Sequence, residues 1–422
     1  MLVIILLAGL VLWFFRLLIL LDVSGGGDGP SFWFADFKIY YSTARLFIAG
    51  ENIYQHAYVY PPLSILLIVP FAYLPVGKAC LLFAVFSVLL LLSTIIIISR
   101  ILHYYGIRLS KTELLLVFIA VFLFYPVSIT FTLGQINVVV LFLITLFYYY
   151  LFVRRSGMVA ATFLGFATIV KVWPLVLAVL NFIAQKAKGL IPRYLLVFVV
   201  LCLISVAVFG ISTNVDFLHR LFNWQDVPSL QTPEKVLHPM TAHDDDLSPF
   251  NSIFKLLSIV GVSNPYLYQG LFWGLRLILP GIALFYLCRI RVREKSFPDH
   301  DWDILTFASL IILVLIVSDP LWVHYGSFLV LPCILLVFVV RLNMVEKGLL
   351  LGFVGLFSLQ QYVLALVDMM GGVVKSAVYI ASPAAYAFLL FLSIIFYMIH
   401  RRKLEFQSTN CPATVATKAY FF

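Results

Sequence analysis

Charged residues make up only 11% of these 422 residues, against about 25% in an ordinary soluble domain. Too few are present to clothe a soluble surface. Cysteine is also sparse: Cys80, Cys202, Cys288, Cys333 and Cys411 show no paired spacing. They supply neither a disulfide framework nor a Cys/His metal signature. Four of them lie in or beside apolar runs and read as small packing residues. No Walker-type Gly-Lys-Ser/Thr loop occurs, which excludes an ATP-driven pump working alone. The two halves do not echo each other in Gly/Pro-broken helices, so the best sequence sign of a secondary transporter is missing too.

What the chain has instead is apolar length. Hydrophobic residues reach 63%, where soluble domains hold about 45–50%. Such a composition needs a bilayer, and each crossing takes roughly 20 apolar residues. The expected fold is an all-α polytopic membrane bundle of about 12 spans. They fall near 2–21, 78–99, 113–130, 136–153, 157–172, 174–185, 192–211, 266–288, 304–318, 325–340, 348–367 and 378–399. The first run lacks a basic start and carries Arg16 inside, so it reads as a transmembrane helix rather than a cleaved signal. The run 61–76 is apolar but broken by Pro61, Pro62, Pro70 and Pro75.

Basic residues orient the bundle. Arg100 to Lys111, Arg154 with Arg155, Lys186 to Arg193, Arg289 to Lys295, Arg341 with Lys347, and Arg401 to Lys403 fall on alternate loops. That side is cytoplasmic by the positive-inside rule, with both termini on it. The net charge of +9 is thus a loop property and not a nucleic-acid footprint. One transmembrane domain is expected over 1–403, followed by a cytoplasmic tail, 404–422. The opposite face carries two long loops, 22–77 and 212–265, and most of the acids. Long loops are usually functional, so the outer face is the expected working face.

In the first outer loop, Ala35 to Gly50 reads as an interfacial helix, with Phe37, Tyr41, Ala44 and Ile48 on one face. Asp36 stands at its N-terminus, where a carboxylate complements the helix dipole, and Gly50 closes it. The pattern alone favours Asp36 as a simple helix cap. Tyr54 follows, and then Tyr58-Val59-Tyr60-Pro61-Pro62-Leu63. The double proline favours extended chain at Tyr60.

An Asp-Phe-x-x-Tyr-Tyr helix, then Gly-x-x-x-Tyr, then Tyr-x-Tyr-Pro-Pro-Leu, after one apolar run, resembles the glycosyltransferase C superfamily. The nearest branch is the bacterial polyprenol-phosphate-mannose-dependent α-mannosyltransferases. Leu133-Gly134-Gln135-Ile136-Asn137, Lys171-Val172-Trp173-Pro174, Pro249-Phe250-Asn251-Ser252-Ile253, Ser318-Asp319-Pro320 and Trp322-Val323-His324-Tyr325 follow in order. The resemblance runs to about residue 345; the tail beyond shows no family motif, and the Asp244-Asp245-Asp246 run is not one. It implies a bundle with interfacial helices in the first outer loop. It also implies transfer of a sugar, mannose first, from a polyprenyl-phosphate donor to an outer-leaflet lipid or glycan acceptor. The setting is the bacterial inner membrane. Asp36 matches the family's general base, an acid in the first outer loop.

That chemistry suits what the residues offer. A polyprenyl-phosphate sugar is already activated, so direct, inverting displacement needs one carboxylate base and positive groups at the phosphate. Glycoside hydrolysis generally needs two carboxyl groups. Lys171 is the best cation, since an ammonium near hydrocarbon expects a partner; snorkelling to the interface is the alternative. His324 is a phosphate or acceptor ligand, or else an aromatic-belt residue. Gln135, Asn137 and Asn251 are sugar-binding amides, or else helix caps. Tyr54, Tyr60 and Arg45 stand with them as substrate-binding candidates, and Arg16 and Arg276 as partners of acids or phosphate. His238, His243 and Asp244 to Asp246 carry metal-ligand side chains, but their Pro-flanked loop reads as solvated, so no metal or cofactor is expected. The competing readings are a transporter or flippase of a lipid-linked sugar, and a non-catalytic subunit of an envelope assembly. A transporter would carry polar residues across its midplane, whereas these gather at one end.

Overall fold

The computed structural model describes residues 33–55, 57–178, 189–222, 299–317, 323–340, 342–355 and 393–401, with isolated helical positions between 274 and 285. Every described regular element is helical. The expected span 2–21, most of 266–288 and of 378–399, the tail, the basic clusters Lys186–Lys188 and Arg289–Lys295, and residues Arg16, Asn251, Arg276 and Asp244 to Asp246 lie outside the described residues.

Helix α1 spans Ala35–Ile48. Its start is unusual: Phe34 takes a left-handed conformation at φ 55° and makes no side-chain cap. Asp36 is therefore the second helical residue and not the cap. Gly50, at φ 75° just past the end, ends the helix as expected, because glycine enters that region without a Cβ penalty. The buried stripe is Phe37, Tyr40, Thr43 and Ala44; Tyr41 is half-buried and Ile48 exposed. Phe37 and Ala44 of the expected face are buried, while Tyr40 and Thr43 take the places expected of Tyr41 and Ile48. This arrangement brings Tyr40 inward and sends the Tyr41 hydroxyl to the carbonyl of Leu74 at 2.8 Å.

The proline-broken run becomes two short pieces, a 3-10 turn Pro62–Leu67 and a single helical turn Val69–Ala72. Helix α2, Val76–Tyr104, then runs uninterrupted. Its 29 residues rise about 1.5 Å each, enough to cross a hydrocarbon core. Phe37 stacks on Phe83 of α2 at 4.6 Å between ring centroids, with Phe71 edge-on to both. This aromatic knot docks α1 onto α2.

Helix α3, Lys111–Leu123, opens with a reciprocal capping box. The Ser110 hydroxyl accepts from the Glu113 N–H at 3.2 Å, and the Glu113 carboxylate accepts from the Ser110 N–H at 2.7 Å. The sequence reading ran one span through 113–130. The structure instead bends by 65° into α4, Tyr125–Leu133. Pro126 explains the bend, because it lacks an N–H and its ring would strike the carbonyl one turn back. Helix α4 ends at Gly134, φ 65°, and α5, Asn137–Tyr148, starts almost at once.

Helix α6, Gly157–Val170, packs beside α5. Helix α7, Leu190–Phe222, is broken only at Gly210, φ 81°. Asn214 donates back to the Gly210 carbonyl at 2.7 Å and Ser205 donates to Asn214 at 2.7 Å, which bridges the break. The second long outer loop was expected from residue 212; residues 212–222 are helical instead. Helix α8, Asp299–Val317, a 3-10 turn Val323–Leu329, and α9, Val330–Phe338, follow, and Leu350, Phe353, Ile395 and Ile399 extend the same core. Among the described residues, only α2 and α7 are long and apolar enough to cross a bilayer, with a third crossing if α3 and α4 count together. The described residues hold two or three spans by length, and α5, α6 and the 323–338 segment are shorter apolar helices; several of the twelve expected spans fall outside the described residues.

Candidate active site

One contact places α1. The Phe34 N–H donates to the Thr132 carbonyl at 2.8 Å, laying the start of α1 against the Gly134 turn. A Cβ on Gly134 would fall 2.6 Å from Cβ of Phe37 and 2.7 Å from Cδ1 of Phe34. Glycine is required there twice, for its positive φ and for this close approach. The result sets Asp36 beside Gln135, the residue after the glycine.

Gln135 then gathers the site. Its Nε2 donates to Oδ2 of Asp36. Its Oε1 accepts from the Tyr40 hydroxyl at 2.8 Å and from the Lys171 ammonium at 3.5 Å. The Tyr40 hydroxyl also lies 3.2 Å from that of Tyr60. Lys171 ends α6 in an extended conformation, its N–H held by Ala167 at 3.0 Å. It is 2% exposed, so it does not snorkel. Its Nζ lies 4.5 Å from the Tyr325 ring centroid and 5.0 Å from that of Tyr60, within cation–π range.

His324 is buried at the start of the 323–329 turn, against the Tyr325 ring. Its carbonyl accepts from Asn137 Nδ2 at 3.1 Å and from Thr130 at 3.4 Å. Asn137 is fully buried, and its Oδ1 has no partner. Since Ile136 occupies the cap position of α5, the capping reading of Asn137 falls away. Trp173 packs on Phe328 at 4.5 Å.

Burial pushes the Asp36 carboxyl above its ordinary range, while the hydrogen bond from Gln135 and the charge of Lys171 pull the other way. Desolvation wins. This is the condition of a carboxylate poised to accept a proton nearer neutrality.

The structure therefore brings Asp36, Tyr60, Gln135 and Lys171 together, with Asn137 and His324 adjoining. Tyr54 stands one step back, its hydroxyl on the Tyr60 carbonyl at 2.7 Å. Arg45 does not join them: it is exposed in the last turn of α1, donating to the Ala72 carbonyl at 3.4 Å. Three contributors escaped the sequence reading. Tyr40 was not among the residues named for the inward face. Tyr325 was quoted only as a flank of His324. Arg220 lay in the expected loop; it donates to the carbonyls of Tyr54 and of Tyr58, the latter at 3.3 Å, and stacks on the Tyr54 ring at 5.3 Å. Asn52 reaches Asp216 of the same helix at 3.0 Å. The end of α7 thus braces the loop that carries Tyr60.

The sequence profile of glycosyltransferase family 87 matches residues 58–318, more than half of the chain. The chain belongs to glycosyltransferase family 87. It is therefore an enzyme that transfers sugar, and the transporter and scaffold readings give way. Its apolar helices make it a membrane glycosyltransferase. A search of curated proteins finds no match. The family match takes in Tyr60, Gln135, Asn137 and Lys171 and begins after Asp36, so the case for Asp36 rests on geometry. Among the described residues no group of three or more His, Cys, Asp or Glu side chains is placed to hold a metal, and the His238–Asp246 loop lies outside them.

Proposed function

We propose that this family 87 enzyme moves a sugar, mannose foremost, from a polyprenyl-phosphate donor to a hydroxyl of an outer-leaflet lipid or glycan, with Asp36 as general base. The observation that carries the reading is the pair of opposite charges at the two ends of one amide. The carboxylate of Asp36 and the ammonium of Lys171 are both bonded to the Gln135 side chain. Single displacement needs those two functions side by side, one for the incoming proton and one for the outgoing phosphate.

The step runs as follows. The acceptor oxygen attacks the anomeric carbon while its proton passes to Asp36. The bond from that carbon to the phosphate oxygen breaks, and the phosphate leaves with the electron pair. Lys171 and His324 stabilise the charge gathered there. One displacement inverts the anomeric centre. Asn137, with its unpartnered buried Oδ1, is suited to accept from a sugar hydroxyl, because an unmet buried acceptor is costly. Positive charge comes from side chains, so no metal is required.

The site draws on the first loop, the start of α5, the end of α6 and the turn before α9. Loop charges assign all four to one side of the membrane, which we take as the extracytoplasmic face of a bacterial inner membrane, with both termini cytoplasmic. The test is reconstitution. Purified enzyme with polyprenyl-phosphate mannose and an outer-leaflet lipid extract is expected to yield an α-mannosylated product without added metal. Transfer from a nucleotide sugar, with none from the lipid phosphate, would overturn the reading.

A further inference from the structure

Gln135 carries a sugar-binding role in the sequence reading, yet its amide is largely spoken for. An amide offers two acceptor sites on oxygen and two N–H donors. The oxygen already receives Tyr40 at 2.8 Å and Lys171 at 3.5 Å, and one N–H goes to Asp36. The orientation follows from chemistry. An ammonium can only donate, so the atom facing Lys171 is the oxygen and the amino group faces the carboxylate.

We propose that Gln135 is a positioning residue that couples Lys171 to Asp36: it fixes Oδ2 of the carboxylate, leaves Oδ1 to take the acceptor proton, and biases the carboxyl toward its ionised form. The assignment of Oδ1 rests on the general-base reading of Asp36; the coupling itself does not. Tyr40 is the second part of the device. Its hydroxyl holds the amide oxygen, so the amide cannot flip without losing that bond and turning its N–H group on an ammonium.

The titratable groups around this carboxylate are Lys171 at the end of α6, Tyr60 from the first loop and Tyr40 on its own helix, with His324 and Tyr325 beyond Lys171. Asp36 is the carboxyl group among them. Its ionisation can therefore be followed directly by infrared difference spectroscopy, with the Asp36→Asn protein as the blank.

The variants are Gln135→Met, which keeps length and loses both amide functions, and Tyr40→Phe, which keeps the ring and frees the amide. Gln135→Met is expected to raise the midpoint of the Asp36 carboxyl by about one pH unit. It should also lower kcat at least tenfold, with the donor KM changed less than threefold. Tyr40→Phe should move the midpoint the same way by a smaller amount. A Gln135→Met protein with a raised donor KM and an unmoved carboxyl midpoint makes Gln135 a sugar ligand and overturns the proposal. A lowered Tm with the midpoint unmoved makes it a packing residue and overturns it equally. Should Gln135→Met fail to fold, Tyr40→Phe decides: an unmoved midpoint there sinks the coupling. Full turnover by Asp36→Asn would remove the base reading while leaving the infrared shift to judge the coupling by itself.

Discussion

The ammonium of Lys171 stands 4.5 Å from the ring centroid of Tyr325, although Lys171 lies well inside the family-matched region and Tyr325 just beyond its end. Lys171 closes α6, and Tyr325 belongs to the turn that leads into α9. With Tyr60 on another side at 5.0 Å, aromatic faces hold a charge that hydrocarbon alone would not tolerate. Burial pulls the pKa of Lys171 down to about 7 while the Asp36 carboxylate pulls it back up, so an arriving phosphate further favours the ammonium.

From this, Lys171→Ala removes one charge-assisted contact to the leaving phosphate, worth about 1.5–3 kcal/mol. Steady-state transfer at equal protein level should fall at least tenfold, and likewise in His324→Ala. Tyr325→Leu removes the cation–π support, about 0.5–2 kcal/mol, and should raise the donor KM by a factor of about two to thirty. Wild-type rates in both Lys171→Ala and His324→Ala would mean that the phosphate is held elsewhere.

The acid limb of activity is a second consequence. A general base must be ionised, and burial raises the Asp36 carboxyl above the ordinary aspartate value of 3.8. The kcat–pH profile should therefore rise at a pH above that value. Lys171→Met deletes a charge that favours the carboxylate, so the limb should move further up. A limb that stays put in Lys171→Met, measured wherever residual turnover allows, would detach it from Asp36.

Much of this site was legible because its residue types announce themselves. Lys171 is a cation at the end of an apolar run, and Asp36 an acid one turn before a Tyr-Tyr pair. Their meeting was not legible, since it depends on Phe34 turning left-handed and on Gly134 admitting Phe37. The face of α1 was partly misread because a 3.6-residue period admits steps of three as well as four, and Tyr40 and Tyr41 are alike in composition. The end of α7 looked like loop because Asp216, His219 and Arg220 are polar. In the structure that polarity is spent on bracing the first loop. The bend at Pro126 was readable and was overlooked, since an unbroken apolar run conceals a missing N–H.

Gly134→Ala tests how tightly α1 is registered. The new Cβ meets Phe37 Cβ, which no side-chain rotation can move, and alanine is strained at φ 65°. Such strain costs about 1–3 kcal/mol. The variant should melt several degrees lower. Because displacements near 1 Å can cost about 10²-fold in rate, turnover should fall more than the stability loss explains. An alanine variant with normal turnover and a lowered melting point would show that the register of α1 does not set the chemistry.

The central claim is that Asp36 takes the acceptor proton, and Asp36→Asn tests it most directly. Asparagine keeps the size of the side chain, and Asp36 caps nothing. The sign of the stability effect is fixed as well. A carboxyl raised by burial weakens the folded state as pH climbs from the ordinary aspartate value through the folded one, because the native state is then the more protonated. A neutral amide escapes that cost, so Asp36→Asn should melt no lower than wild type at neutral pH. General-base catalysis is typically worth about 10²–10⁴ in rate, and turnover of polyprenyl-phosphate sugar by the purified variant should fall by that factor, with donor binding intact. Full turnover by a folded Asp36→Asn enzyme would contradict the account.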